Sequence, residues 1–508
     1  MSLRQSMSGL HTWSGLLVSW LLFVILFAGS LACFDKELTR WMLPQLHEPA
    51  ENAVSADQVR DWLTERQPNA HAFWMRAPTE RIPYWTAGWV PADLGEFVDF
   101  KLDPRTGEAL PKTVGGEFFF TLHYDLHAGM IGLYIVGIAG MFMLVALVSG
   151  IIVHRRIFKD FFTLRPKAAR QRAWLDAHNV LGVVGLPFHL LIAYTGLAIF
   201  VANYMPAGIH AAYKGDVMRF FQETQRSFDR EELGKPAKPP KSIDRMIATS
   251  EELWGDGSRA GWINVEHPGD SSAMVQIRKA VDSRLVNDQE TISFDSGTGA
   301  LLHQQKPYAA GYHTYSWLGG LHMAQFGGNL VRVLYLLLGL SGCAMLLGGL
   351  QVWLAKREAR GSSGVTLVRA LNGAVCGGLP LASLALFGAA RLLPGSLAYR
   401  NRWEIAVFLG VWLLAVGHSL FRLGNGRTMA REQAMAAALL ALSLPLLSLF
   451  GPEAGRLTSS IARGDWTLAG VDLGFLIAGL LSAALARRLG RPVVVAEKRR
   501  RALVEEVA

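Results

Sequence analysis

The sequence predicts an all-α polytopic membrane protein of about eight transmembrane helices, a duplicated 2+2 helix core plus four C-terminal helices, carrying two small periplasmic α+β domains. Three observations predict it. Of 508 residues 51% are hydrophobic, and the excess is gathered into charge-free runs long enough to cross a bilayer, which takes roughly 20 residues at about 1.5 Å rise each. Gly129 to Val153, for example, holds no charged side chain. Dense basic segments flank these runs rather than forming a patch of their own: His154 to Arg172, Lys356 to Arg360, Arg422 to Arg431 and Arg487 to Arg501. Finally, several features of the first half recur in the same order in the second.

Taken in order, residues 1–34 hold a first span at about 12–32, and 35–122 a polar domain. Residues 123–204 hold a second span at 129–153, a basic loop and a third span at about 179–202. A second polar domain, 205–315, precedes the fourth span at about 329–354 within 316–358. Residues 359–508 supply spans at about 371–392, 403–421, 432–450 and 466–486 and a basic tail. Lys and Arg are retained on the cytoplasmic side, so both termini and the loop 154–172 are expected there. The polar stretches 33–120 and 205–315 then face the periplasm, and the membrane is the bacterial inner membrane.

The net charge of +9 does not indicate nucleic acid, because the basic residues sit at span ends. Cys33, Cys343 and Cys376 lie in or beside apolar runs and no Cys-x-x-Cys occurs, which excludes a disulfide framework, an iron–sulfur cluster and covalent c-type haem attachment. Leu31-Ala32-Cys33 is similar to a lipoprotein cleavage site, but the first run has a sister later in the chain and so reads as a span.

That sister relation is a duplication. His11 opens the first span with Gly29 following, and His178 opens the third with Gly196 at the same offset. Asp103-Pro104-Arg105-Thr106-Gly107 with Leu110 matches Asp295-Ser296-Gly297-Thr298-Gly299 with Leu302; each reads as a turn with glycine where positive φ is needed. Leu126-His127 leads into the second span as Leu321-His322 leads into the fourth. Each polar domain starts with a helical pattern, Ala56 to Arg66 and Ile243 to Leu253. Strand-like runs follow, such as Phe97 to Leu102 and Ser272 to Ile277. Each therefore reads as a helix on an antiparallel sheet. His418 is the one histidine within the last four spans, and they carry no assignable chemistry.

Ionisable groups in spans are costly and usually retained for function. The first four spans lack the acidic relay of a proton-coupled transporter; they hold or adjoin His11, His123, His127, His154, His178, His189 and His322. Neutral imidazole donates a strong lone pair to iron. His11, His154 and His178 lie near the cytoplasmic face, and His127 and His322 near the periplasmic face. On a straight helix His178 and His189 differ by about 20° and about 16 Å, whereas His127 and His154, about 40 Å apart, cannot share one group. His123 and His127 share a face, so either could be the periplasmic ligand. His154 has no twin, since Gly349-x3-Trp353 answers Gly150-x3-His154. His210, His267, His303 and His313 read as surface or substrate-side residues.

Phe120-Thr-Leu-His-Tyr-Asp-Leu-His127 and Gly150-Ile-Ile-Val-His154-Arg-Arg resemble the PepSY-associated transmembrane family. So do Leu175-Asp-Ala-His178-Asn-Val-Leu-Gly182, Leu186-Pro-Phe-His189 and Tyr194-Thr-Gly196. The resemblance covers roughly residues 5–358, and it extends to iron-uptake members that resemble ferrioxamine-type reductases. It implies two b-type haems in the four-helix core and reduction of a ferric siderophore in the periplasm. One haem is expected between His127 and His322. The second would use His178 or His189, with His11 or His154 opposite; depth favours His189.

The chemistry is coherent on its own terms. Hard oxygen donors hold Fe(III) far more tightly than Fe(II), so one electron releases the metal. No Gly-x-Gly-x-x-Gly fingerprint is present, so the donor is a separate cytoplasmic reductase or a membrane quinol. The competing expectation is a non-enzymatic membrane protein whose periplasmic domains bind a peptide, protease or siderophore and regulate or assist uptake.

Overall fold

The apolar runs form helices where the sequence expects them, several of them starting earlier in the chain. The computed structural model describes residues 2–48, 53–93, 95, 97–154, 163–166, 168–281, 284–286 and 290–491. Residues 155–162 and 167 of the expected basic loop, and the tail from 492, lie outside the described residues. The chain opens on α1 (Leu3–Ala32), started by Ser2, whose hydroxyl accepts the Gln5 N–H while the Gln5 side chain returns to the Ser2 N–H. Then come α2 (Asp35–Met42), α3 (Ala56–Arg66) and the strands β1 (Ala72–Arg76), β2 (Trp85–Val90) and β3 (Val98–Leu102). The chain continues through α4 (Glu117–Tyr124), α5 (Gly129–Val153), α6 (Arg170–Val184) and α7 (Leu186–Ile199). Three short helices follow, α8 (Val201–Tyr204), α9 (Ala207–Tyr213) and α10 (Val217–Gln225).

The second copy runs through α11 (Ile243–Trp254), the strands β4 (Ala260–Glu266), β5 (Met274–Lys279), β6 (Thr291–Asp295) and β7 (Leu301–Gln304), then α12 (Ala310–Met323) and α13 (Gly328–Glu358). The remainder comprises α14 (Val365–Leu371), α15 (Gly378–Leu392), α16 (Arg400–Phe421), α17 (Gly426–Leu447), α18 (Leu457–Ala462) and α19 (Trp466–Gly490). Among the described residues seven helices are long and apolar enough to cross a membrane, or eight if the bent pair α6–α7 is one span. The protein is thus a mostly helical, multi-pass membrane protein with one small antiparallel sheet.

Two compact units divide the chain. Residues 1–352 and 394–401 form the first, and residues 353–393 and 402–508 the second. Within the second unit α17 packs on α15 and α19, Phe387 meets Phe475 at 5.2 Å, and Glu432 takes both His418 and Arg422.

In the first unit the strands of the two polar segments join in one sheet, ordered β3-β2-β1-β4-β5-β6-β7, with every pair antiparallel. The seam is β1 against β4, with Phe73 opposite Val265 and Met75 opposite Ile263. Those four side chains are buried on one face with Val59 and Leu63 of α3 and Ile243 and Met246 of α11. Trp74 and Trp262 stack at 4.8 Å on strand positions of the opposite parity. Apart, β1 and β4 would each expose an edge of unpaired N–H and C=O groups; pairing them removes both.

The duplication is visible at the helix starts. Asp244 accepts the Ala56 and Asp57 N–H groups that open α3 (3.0 and 3.2 Å), and Asp57 accepts the Ile243 N–H that opens α11 (2.8 Å). Each copy caps the other. The paired turns also match: Gly107 and Gly299 have φ of +73° and +75°, and each donates its N–H to the first residue's carbonyl, Asp103 or Asp295, at 2.8 Å.

One expected element differs. The third span begins at Arg170 and bends by 64° between α6 and α7. Pro187 lies in the first turn of α7, where it has no N–H to continue the ladder from α6, and proline there breaks a helix. The shared face expected for His178 and His189 on a straight helix is lost with the bend.

Candidate functional site

Eighteen residues separate His11 from Gly29 and His178 from Gly196. That is five full turns at about 3.6 residues each, so on α1 the histidine and the glycine share a face about 27 Å apart. Each glycine makes room for a histidine of another helix. A Cβ on Gly29 would lie 2.6 Å from His123 Nδ1, and one on Gly196 would lie 2.8 Å from His322 Cε1. The arrangement repeats at the opposite end of the helices. A Cβ on Gly150 would meet His11 Cε1 at 3.2 Å, and one on Gly349 would meet His178 Cε1 at 3.2 Å. Within copy one, α1 thus receives α4 and α5; within copy two, α6–α7 receives α12 and α13.

The two copies then meet at their histidines. His11 and His178 have ring centres 6.1 Å apart, and His123 and His322, on the sheet side, 5.9 Å apart. In all four rings Nδ1 has a partner. His11 donates to the Ala146 carbonyl (2.9 Å), His123 to Ile25 (2.8 Å) and His178 to Met345 (2.8 Å). His322 donates to the Thr195 hydroxyl (3.0 Å), which itself donates to the Leu191 carbonyl (2.7 Å) and so must accept. This pattern leaves Nε2 of each ring with its lone pair.

Two imidazoles so placed could hold a metal ion between them. A ring nitrogen lies about 1 Å from its ring centre and a metal–nitrogen bond is about 2 Å, so two rings that would hold one ion between them have centres about 6 Å apart. Hydrogen bonding of the second ring nitrogen fixes tautomer and orientation, as metal-ligating histidines require. A cavity of 320 Å³ borders His123 and His322; Leu22, Ile25, Met143, Ile192 and Leu197 supply apolar walls, and Gly137 and Gly140 widen it. The residues fit an apolar iron macrocycle, which His123 and His322 would hold.

The structure separates the other sequence candidates from these pairs. His127 is not opposite His322. It sits in the left-handed turn between α4 and α5 (φ +54°), its Nε2 donating to the Phe118 carbonyl at 2.9 Å. His123 takes the place the sequence reading assigned to His127. The overlooked signal was spacing: His123 and His322 each lie six residues before the glycine that opens the next helix, Gly129 or Gly328. Leu122-His123, not Leu126-His127, is therefore the counterpart of Leu321-His322. His154 ends α5, its N–H on Gly150, and among the described residues its ring has no partner. His189 is fully buried at the bend, with Nε2 on the Leu338 carbonyl (3.2 Å) and Nδ1 unpartnered. Among the described residues no ring contact joins it to either pair, and His178 stands opposite His11.

Glu117, the first residue of α4, ties the helix that carries His123 to the sheet. It pairs with Lys101 of β3 at 2.9 Å and Lys36 of α2 at 3.2 Å. Burial works to raise its pKa, but the two ammonium groups outweigh it and hold the carboxyl at about 2.

Comparison with known proteins returns a match to the PepSY-associated TM region over residues 8–356. An uncharacterized protein of Pseudomonas aeruginosa is 25% identical over 381 residues, covering 72% of this chain and 92% of the relative.

Proposed function

The chain belongs to the PepSY-associated transmembrane family, and from that premise we propose that it is a di-haem reductase of the bacterial inner membrane, acting on a ferric siderophore in the periplasm. The observation that supports this reading is the pair of cross-copy histidine contacts at about 6 Å, every ring with Nδ1 committed and Nε2 left over. Bound there, b-type haems would supply one-electron carriers at two depths. His11 and His178 would hold the one nearer the cytoplasm, and His123 and His322 the one nearer the periplasm. The small residues beside each ring let the imidazoles sit between helices, and the apolar walls keep water from the sheet-side pair.

Orientation follows the basic segments, which would place both termini in the cytoplasm and the sheet in the periplasm. One electron converts tightly held siderophore Fe(III) to weakly held Fe(II). It comes from a cytoplasmic reductase or a membrane quinol, for which the chain offers no dinucleotide fingerprint of its own.

The test is a purified, haem-replete sample. We expect a Soret band that shifts with dithionite, two haems per chain removable by acid–acetone, and reoxidation by ferric siderophore with Fe(II) appearing in a ferrous-specific chelator. A colourless protein from cells supplied with haem would end the proposal and leave the sheet as a binding module.

A further inference from the structure

At the seam of the sheet, three metal-ligating side chains of different origin converge. His71 immediately precedes β1 and His267 immediately follows β4, while Glu232 comes from the extended segment before α11. Because β1 and β4 are antiparallel neighbours, the two histidines are cross-strand partners: the His267 N–H donates to the His71 carbonyl at 3.0 Å, and the His71 N–H to Val90 at 2.9 Å. His267 has left-handed backbone (φ +50°), and its ring centre lies 5.1 Å from that of His71. Glu232 Oε1 is 2.7 Å from His267 Nδ1 and 3.6 Å from His71 Nδ1. One ligand atom from each of the three lies within 4.8 Å of the other two.

We propose that His71, Glu232 and His267 form a mononuclear site for a divalent first-row transition ion. Two atoms about 2.1 Å from a tetrahedral centre are about 3.4 Å apart, between the two distances observed. The sheet backbone holds the histidines, and Glu232, with more than half of its side chain exposed, needs only a small rotation to close the set. Two imidazoles and one carboxylate select such ions over Mg²⁺ and Ca²⁺, which take oxygen ligands. Coordination positions remain for water or an exchanging ligand, so the site suits capture and release. Fe(II) is the ion the site would meet if the proposed function holds, an identity that rests on that reading; the site itself does not.

The test uses the full-length protein in detergent, stripped with a chelator and dialysed against Zn(II) or Co(II), with bound metal counted by elemental analysis. Wild type should hold one more ion per chain than His71→Ala/His267→Ala. Glu232→Gln, a change at an exposed carboxylate, should raise the half-saturating concentration at least tenfold, and excess Mg²⁺ should not compete. The haem spectrum is recorded on the same samples, so loss of haem and loss of the ion are read separately. Equal metal stoichiometry in wild type and the double variant, or an unchanged titration in Glu232→Gln, would overturn the proposal.

Discussion

His123 and His127 show how much rests on single residues. Both follow a leucine and stand four positions apart, yet one donates into the α1 backbone opposite His322 and the other closes a turn. Replacing His123 or His322 by Ala should remove one haem per chain while the other remains. His127→Ala should retain both, as read from a pyridine haemochrome assay. Thr195 tests the role of the outer partner: Thr195→Val keeps the shape but removes the acceptor for His322 Nδ1. Loss of such a partner typically weakens metal binding about 10–100-fold, so haem should wash from this variant at the sheet side first. At Gly29 the constraint is steric. With a Cβ 2.6 Å from the His123 ring, Gly29→Ala should displace that imidazole and cost about 1–3 kcal/mol, read as a lowered melting temperature together with a perturbed Soret band.

Among the elements, the helices α3 and α11 are joined by an exchange of caps that neither copy could make alone. Asp57→Ala or Asp244→Ala should each destabilise the sheet region by about 1 kcal/mol, the usual worth of an N-terminal cap, measurable as an earlier denaturant midpoint. The matched turns predict a pH dependence. Burial works to raise the Asp103 and Asp295 pKa values. It is outweighed at Asp103 by hydrogen bonds from the Arg105 side chain and N–H, and at Asp295 by those from Arg230 and Thr298, so both carboxyls lie below their usual 3.8. A depressed folded pKa means stabilisation that is present above the unfolded value and lost as pH falls through the folded one. Thermal stability should therefore drop as pH is lowered below about 4, and Asp103→Asn/Asp295→Asn should flatten that slope. The bend between α6 and α7 was legible only in part: Pro187 marks a break, but its 64° depends on what the two halves pack against.

At the scale of the molecule, the basic segments predict the topology, and single cysteines in a cysteine-free background test it. Thr106→Cys, in an exposed turn of the sheet region, should react with an impermeant maleimide in spheroplasts. Arg360→Cys, after α13, should react only once the membrane is opened. The reverse pattern would invert the proposed direction of electron flow. The sequence by itself determined the apolar helices, the duplication, the turn glycines Gly107 and Gly299, and the histidine-rich character of the core, because each is written in local periodicity, spacing or composition. Only the tertiary structure decided that β1 pairs with β4, that His123 rather than His127 stands opposite His322, and that His11 stands opposite His178. Those choices depend on which surfaces of the two copies meet. A pattern within one segment states which face is apolar but not which distant glycine will leave room for an imidazole.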